Sequence, residues 1–124
     1  KNKSIDVIRG FTAAAEIGPA FHGTRKGTVA HLRSPDNSVG QAHIAAPPGW
    51  LVFPRYRADA RLQIKPIPRP QAFLKLANNS FNYRLLGLQA FHAVTRLVRN
   101  CDCYTLTYSS LDEAIDTLNG LVDR

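Results

Sequence analysis

At 124 residues, 44% apolar and 20% charged, the chain has the size and composition of one ordinary globular domain, which excludes a disordered, fibrous or collagen-like protein. No apolar run approaches the roughly 20 residues that cross a bilayer, and the polar start Lys1-Asn2-Lys3-Ser4 is not expected to act as a secretory leader. The net charge of +7 is uneven: before Ser110, 15 bases face five acids, a balance that suits a phosphate-bearing partner or the solvated surface of a basic protein.

Ser4 is placed to cap a short helix with Ile5 and Ile8 on one face, continuing towards Thr12 and Ala15 and ending by Gly18-Pro19. Gly10 weakens that helix by about 1 kcal/mol relative to Ala. Thr28 to Leu32 reads as a short strand. Just before it, Gly23 and Gly27 bracket Thr24-Arg25-Lys26, setting two cations beside accessible backbone. That loop lacks the G-x-x-x-x-G-K-[ST] spacing of a P-loop, so its amides are not expected to encircle a polyphosphate. A tight turn with solvated charges is the simpler reading. His31 reads as a hydrogen-bonded edge residue. His22, His31, His43 and His92 are scattered, without H-x-H or H-E-x-x-H spacing and without clustered acids, so no metal site is predicted. Arg33 through Gly49 is rich in Ser, Pro, Asn, Asp and Gly and reads as loop, with room for one short element between Ser38 and Ala46.

Trp50-Leu51-Val52-Phe53 is the densest large-apolar run and predicts a strand that ends in Pro54-Arg55-Tyr56-Arg57. Pro54 has no N–H for a ladder, so the strand lies at a sheet edge there or is finishing. Arg55 and Arg57 share one side by the period of two. Arg61 to Lys65 alternates as a second strand with Leu62 and Ile64 inward. From Arg55 to Lys75 six bases meet one acid, and guanidinium forks match phosphate oxygens in a way a lysine point charge does not.

Pro66 to Pro70 is a stiff connector. Pro70 suits the first position of a helix that carries Phe73, Leu74, Leu76 and Ala77 to about Asn78. A second helix is expected from Leu85 to Arg99, burying Leu86, Ala90, Phe91, Val94, Leu97 and Val98. Arg96 and Arg99 serve its dipole. Tyr104 to Tyr108 is the cleanest strand of period two. Ser110 and Glu113 form a capping box for a last helix whose stripe is Leu111, Ala114, Ile115, Leu118, Leu121 and Val122. The helix dipole explains Asp112, Glu113 and Asp116, which receive no catalytic role. Cys101 and Cys103 lie too far apart along a strand for easy bridging and have no second cluster to complete a zinc site. They read as small buried or half-buried thiols of a reducing compartment, and a cytoplasmic location is expected.

The layout is mixed α/β: a short strand layer with three to four amphipathic helices, one domain over residues 1–124, no internal repeat, and no helix-turn-helix, finger or RNA-recognition signature. Taken in order, Lys1-Asn2-Lys3-Ser4-Ile5-Asp6-Val7-Ile8, Thr24 to Leu32, and Trp50 to Tyr56 resemble the C-terminal half of the HPr-kinase-related proteins, relatives of the bacterial HPr serine kinase/phosphorylase. Ser80-Phe81-Asn82-Tyr83 with Gly87, and Cys101-Asp102-Cys103-Tyr104 with Leu111-Asp112-Glu113-Ala114, continue the resemblance, so that it spans nearly the whole chain.

That resemblance implies a P-loop kinase fold of the phosphoenolpyruvate-carboxykinase-like type, using ATP and magnesium to phosphorylate a hydroxyl of a phosphoacceptor protein. It also implies that the Walker A loop and the metal-binding acids lie ahead of Lys1, which makes the chain the C-terminal part of a larger kinase-like domain. Without amides and a lysine around the triphosphate and without a held metal, the 124 residues alone are expected to be inactive. The resemblance assigns no role to individual residues. Charge and placement nominate Arg25, Lys26, Arg55 and Arg57 to contact a nucleotide or acceptor phosphate. The competing expectation is a free-standing basic module that binds nucleic acid or an acidic protein. The oligomeric state stays open.

Overall fold

The structure, a computed structural model, describes residues 2–122. The chain divides into two compact units, Lys1–Ala46 and Pro47–Arg124.

The first unit is a helix and an irregular ribbon. Helix α1 (Lys3–Phe11) buries Ile5. It begins one residue before the expected cap: Ser4 lies inside the helix, and Asn2 stands at the cap position without a side-chain bond to the helix. The Asn2 side chain is used elsewhere, accepting from the Thr28 N–H at 2.9 Å, while the Asn2 N–H donates to Thr28 O at 2.8 Å. The helix stops at Phe11, well short of Gly18-Pro19, because Thr12 turns extended (φ −144°, ψ 121°). Strands β1 (Phe21–Thr24) and β2 (Gly27–Val29) form an antiparallel hairpin, and an Ile17–Leu32 bridge extends the ribbon. The loop that follows contains one short helix, α2 (Asp36–Gly40).

The second unit is a three-stranded sheet clothed by helices. Its elements in chain order are β3 (Trp50–Tyr56), β4 (Gln63–Pro66), α3 (Arg69–Asn79), α4 (Tyr83–Leu86), α5 (Leu88–Asn100), β5 (Asp102–Tyr108) and α6 (Leu111–Val122). The sheet order is β3-β5-β4: β5 runs parallel to β3 and antiparallel to β4. The last strand in the chain is therefore the central one, which accords with its unbroken run of strand formers and its buried Cys103 and Leu106. Pro54 is inside β3 and not at its end, and β3 is an edge strand, the one place where a missing N–H costs no ladder bond.

Register assigns the two faces. Leu51, Phe53 and Arg55 stand beside Cys103, Thr105 and Thr107 on one face. There Cys103 joins Ala72 of α3 and Val94 and Val98 of α5 in the core, with Leu51, Phe53, Ile67, Phe73, Leu76 and Tyr83 packed around them. Ala72 is wholly buried, and its small side chain lets α3 approach closely. The opposite face carries Leu106, the largest fully buried side chain. Helix α6 contacts β5 without comparable contact to α3 or α5, which places it on that opposite face. The Ser110 cap is observed: its Oγ accepts from the Glu113 N–H at 3.4 Å.

The long helix expected from Leu85 to Arg99 is two helices. Gly87 adopts φ 50°, ψ −116°, a conformation that strongly favours glycine, and the chain re-enters a helix at Leu88. The one-turn α4 buries nothing; Leu86 is exposed, and so is Phe91, both expected in the core. Periodicity finds the apolar side of a helix but cannot say how much of it a neighbour covers. Arg69, not Pro70, takes the first helical position of α3. No described helix is long and apolar enough to cross a membrane.

Candidate functional site

The parallel pair β3 and β5 ends with both strands pointing the same way, and their carboxyl ends form the floor of a cleft of about 600 Å3. Beyond the core cluster, α3 no longer covers this face with apolar side chains. Lys75 and Asn79, one turn apart near the end of α3, overhang it instead. From the strands come Arg55, Thr105 and Thr107, with Phe53 at the inner wall. Arg55 and Thr107 are direct register partners, so a guanidinium that only donates stands beside a hydroxyl that both donates and accepts. Crevices at the carboxyl ends of parallel strands are the usual ligand position in open α/β sheets, because the helices that follow or cover the strands leave the ends uncapped.

The electrostatics favour an anion. Two cations, two hydroxyls and one amide line the cleft, and no carboxylate does. Among the described residues the only ion pairs are those of Arg33 with Glu16 (2.7 Å) and Asp36 (2.8 Å), so Arg55 and Lys75 have no protein counter-ion. The Lys75 Nζ lies 5.7 Å from the Phe53 ring centroid, over its face, which steadies the ammonium without neutralising it. Asn79 Nδ2 donates to the Lys75 carbonyl at 2.9 Å, which fixes the amide one turn along. The hydroxyls of Thr105 and Thr107 have no protein partner among the described residues and are available to a ligand.

Arg57, expected on the same side as Arg55, has left the strand. Its N–H donates to Tyr108 O at 2.9 Å as the chain turns towards Asp59, whose φ is 58°, and it does not line the cleft. Arg25 and Lys26 occupy the hairpin turn of the other unit, exposed between Gly23 (φ 69°) and Gly27 (φ 81°). Two amides of the turn are engaged within the unit: Lys26 N–H donates to Thr24 Oγ1 at 3.1 Å, that hydroxyl donates to Gly27 O at 2.6 Å, and Thr28 N–H is held by Asn2. Of the four nominated cations, then, the cleft contains Arg55.

No family model, curated protein or solved structure matches the chain.

Lys75, Asn79, Thr105 and Thr107 carry no sequence signal that marks them for the cleft. Thr107 was legible as a strand residue one period from Thr105, but only the β3–β5 pairing makes it a neighbour of Arg55. Lys75 counted among the basic residues between Arg55 and Lys75 without a reason to prefer it. The two cysteines remain structural. Cys101 Sγ donates to Pro48 O at 3.4 Å and Cys103 Sγ to Cys101 O at 3.5 Å, both are buried and unbridged, and burial pushes both thiols up. No group of three metal-ligating side chains occurs among the described residues.

Proposed function

We propose that the second unit binds a phosphate group in the Arg55–Lys75 cleft, as the phosphate-contacting C-terminal part of an HPr-kinase-like, ATP-dependent protein of P-loop type. The observation that carries the phosphate reading is the pairing of two uncompensated cations with Thr105 and Thr107 at the carboxyl ends of two parallel strands, in a cleft free of acids. The kinase part rests on the ordered sequence blocks and on the mixed α/β layout.

The donor set suits the phosphate end of a nucleotide and not its magnesium ion, which takes carboxylate and phosphate oxygens. No transfer step is therefore assigned to these residues. A G-x-x-x-x-G-K-[ST] loop does not occur in the 124 residues, so a nucleotide would need that loop from elsewhere in the protein. The encoded reading frame is a direct test: a Walker A motif in the same protein supports the kinase reading, and a complete protein without one removes it.

Phosphate binding is tested separately by calorimetric titration of the protein with inorganic phosphate. One saturable site is expected. A charge-assisted hydrogen bond contributes about 1.5–3 kcal/mol, and solvent around exposed Arg55 reduces that, so Arg55→Ala should weaken binding by about tenfold. Arg25→Ala and Lys26→Ala should leave it unchanged. Wild-type affinity in Arg55→Ala would remove the cleft from the site. The rival reading, a free-standing basic module for nucleic acid or an acidic protein, predicts instead that affinity for such a partner falls steeply with salt and depends on cations spread over the surface.

A further inference from the structure

Two faces of the second unit carry apolar side chains that stay exposed, and their edges carry opposite charges.

The first is a groove of about 430 Å3 between α3 and α5, remote in character from the phosphate cleft. Its walls are apolar: Phe73 and Phe91 meet edge to face at 5.5 Å, and Leu74 and Phe91 remain 60% and 46% exposed. Arg69 and Arg99 stand at its rim, and Arg96 lies beside Arg99 in the adjoining hollow. None of these arginines has an acidic partner among the described residues.

The second is one flank of α6, beside the line of its buried residues Ala114 and Leu121. Leu111, Ile115, Leu118 and Val122 recur at helical spacing on a neighbouring stripe, half-buried at Leu111 and Ile115 and exposed at Leu118 and Val122 (36% and 66%). Asp112 and Asp116, one turn apart and exposed, flank that stripe. An apolar ridge edged with carboxylates thus stands on the same chain as an apolar groove edged with guanidiniums. The two lie on opposite faces of the β3-β5-β4 sheet, so no copy can seat its own ridge in its own groove.

We propose that the α6 ridge of one copy docks into the α3–α5 groove of a second copy, with Asp112 and Asp116 against Arg69, Arg96 and Arg99. Helix-in-groove recognition uses apolar anchors spaced along one helix face, as this ridge presents. Because ridge and groove face opposite ways, the contact is head-to-tail: each copy uses its ridge on one neighbour and its groove on the other. Self-association should therefore continue past the dimer unless a ring closes.

Sedimentation equilibrium of the 124-residue chain tests this. The weight-average mass should rise above 13.7 kDa with protein concentration and fall back in high salt. Leu74→Asp in the groove and Leu118→Asp on the ridge should each weaken association at least about tenfold. Mixed in equal amounts, the two variants should form a one-to-one pair that grows no further, since one retains an intact ridge and the other an intact groove. Val122→Asp replaces Leu118→Asp if circular dichroism shows that variant unfolded. A wild-type chain that stays at 13.7 kDa at every concentration overturns the proposal. Association without complementation in the mixture overturns it as well, by showing that copies meet through another surface.

Discussion

Leu106→Ala tests the placement of β5 at the centre of the sheet. Leu106 is 1% exposed, on the middle strand, with Pro54 as its register partner on one side and Ile64 on the other. Truncation removes three carbon atoms from a closed site, a transfer loss of about 2.4 kcal/mol at roughly 0.8 kcal/mol per group. Incomplete collapse of the remaining cavity adds to this, so the expected cost is about 3–4 kcal/mol. For a unit of this size each kcal/mol lowers the melting temperature by about 4–8 °C, so the unit should lose most of its thermal margin. Leu74→Ala is the control: Leu74 is 60% exposed, and its truncation should cost within about 0.5 kcal/mol. Urea unfolding followed by far-ultraviolet circular dichroism measures both. A cost below about 1 kcal/mol for Leu106→Ala, with unchanged m-value, would refute the three-strand order and the covering of that face by α6.

Gly27→Ala should loosen the hairpin of the first unit. Its φ of 81° is unfavourable for any residue with a Cβ, and the added methyl would collide with the Asn2 side chain that holds Thr28. Faster proteolysis at the Thr24–Gly27 turn is the expected readout, and unchanged cleavage would contradict the Asn2 contact. The buried thiols predict an alkaline dependence. Burial raises both pKa values, Asp102 adds to the effect at Cys101, and at Cys103 the neighbouring Cys101 and Asp102 outweigh Arg69. The folded chain thus holds thiol protons that the unfolded chain releases. The stability they contribute is complete below the ordinary thiol pKa and is lost as pH rises through the folded values. The stability difference between wild type and Cys103→Ala should shrink across that range; a difference independent of pH would count against the assignment. In the native state both thiols should resist iodoacetamide until the chain is unfolded.

Much of the architecture was readable because it rests on local pattern. The strand formers of Tyr104 to Tyr108, the Ser110 cap and the apolar run from Trp50 all became the elements expected of them. Pro54, without an N–H for a ladder, predicts a sheet edge or a strand end, and it marks an edge. What sequence could not supply was tertiary. Nothing local says that β5 inserts between β3 and β4, and that insertion alone puts Thr107 beside Arg55. The same holds for Lys75, whose position over Phe53 depends on how α3 crosses the sheet. Burial along α4 and α5 falls short of their periodicity for a related reason: an apolar stripe is necessary for a core face, but Phe91 and Leu86 show that it is not sufficient. Gly87 is a local cue to the break between α4 and α5, since a glycine amid a helical pattern can mark a break instead of a tolerated weakness.

The central claim, that the β3–β5 strand ends hold a phosphate, is most directly tested by amide correlation NMR spectra recorded during titration with inorganic phosphate. The account predicts saturable shifts concentrated at Arg55, Thr105, Thr107, Lys75 and Asn79, with the Thr24–Gly27 turn unmoved and with the shifts largely lost in Arg55→Ala. Shifts confined to the turn, or spread evenly over the exposed arginines without saturation, would contradict it.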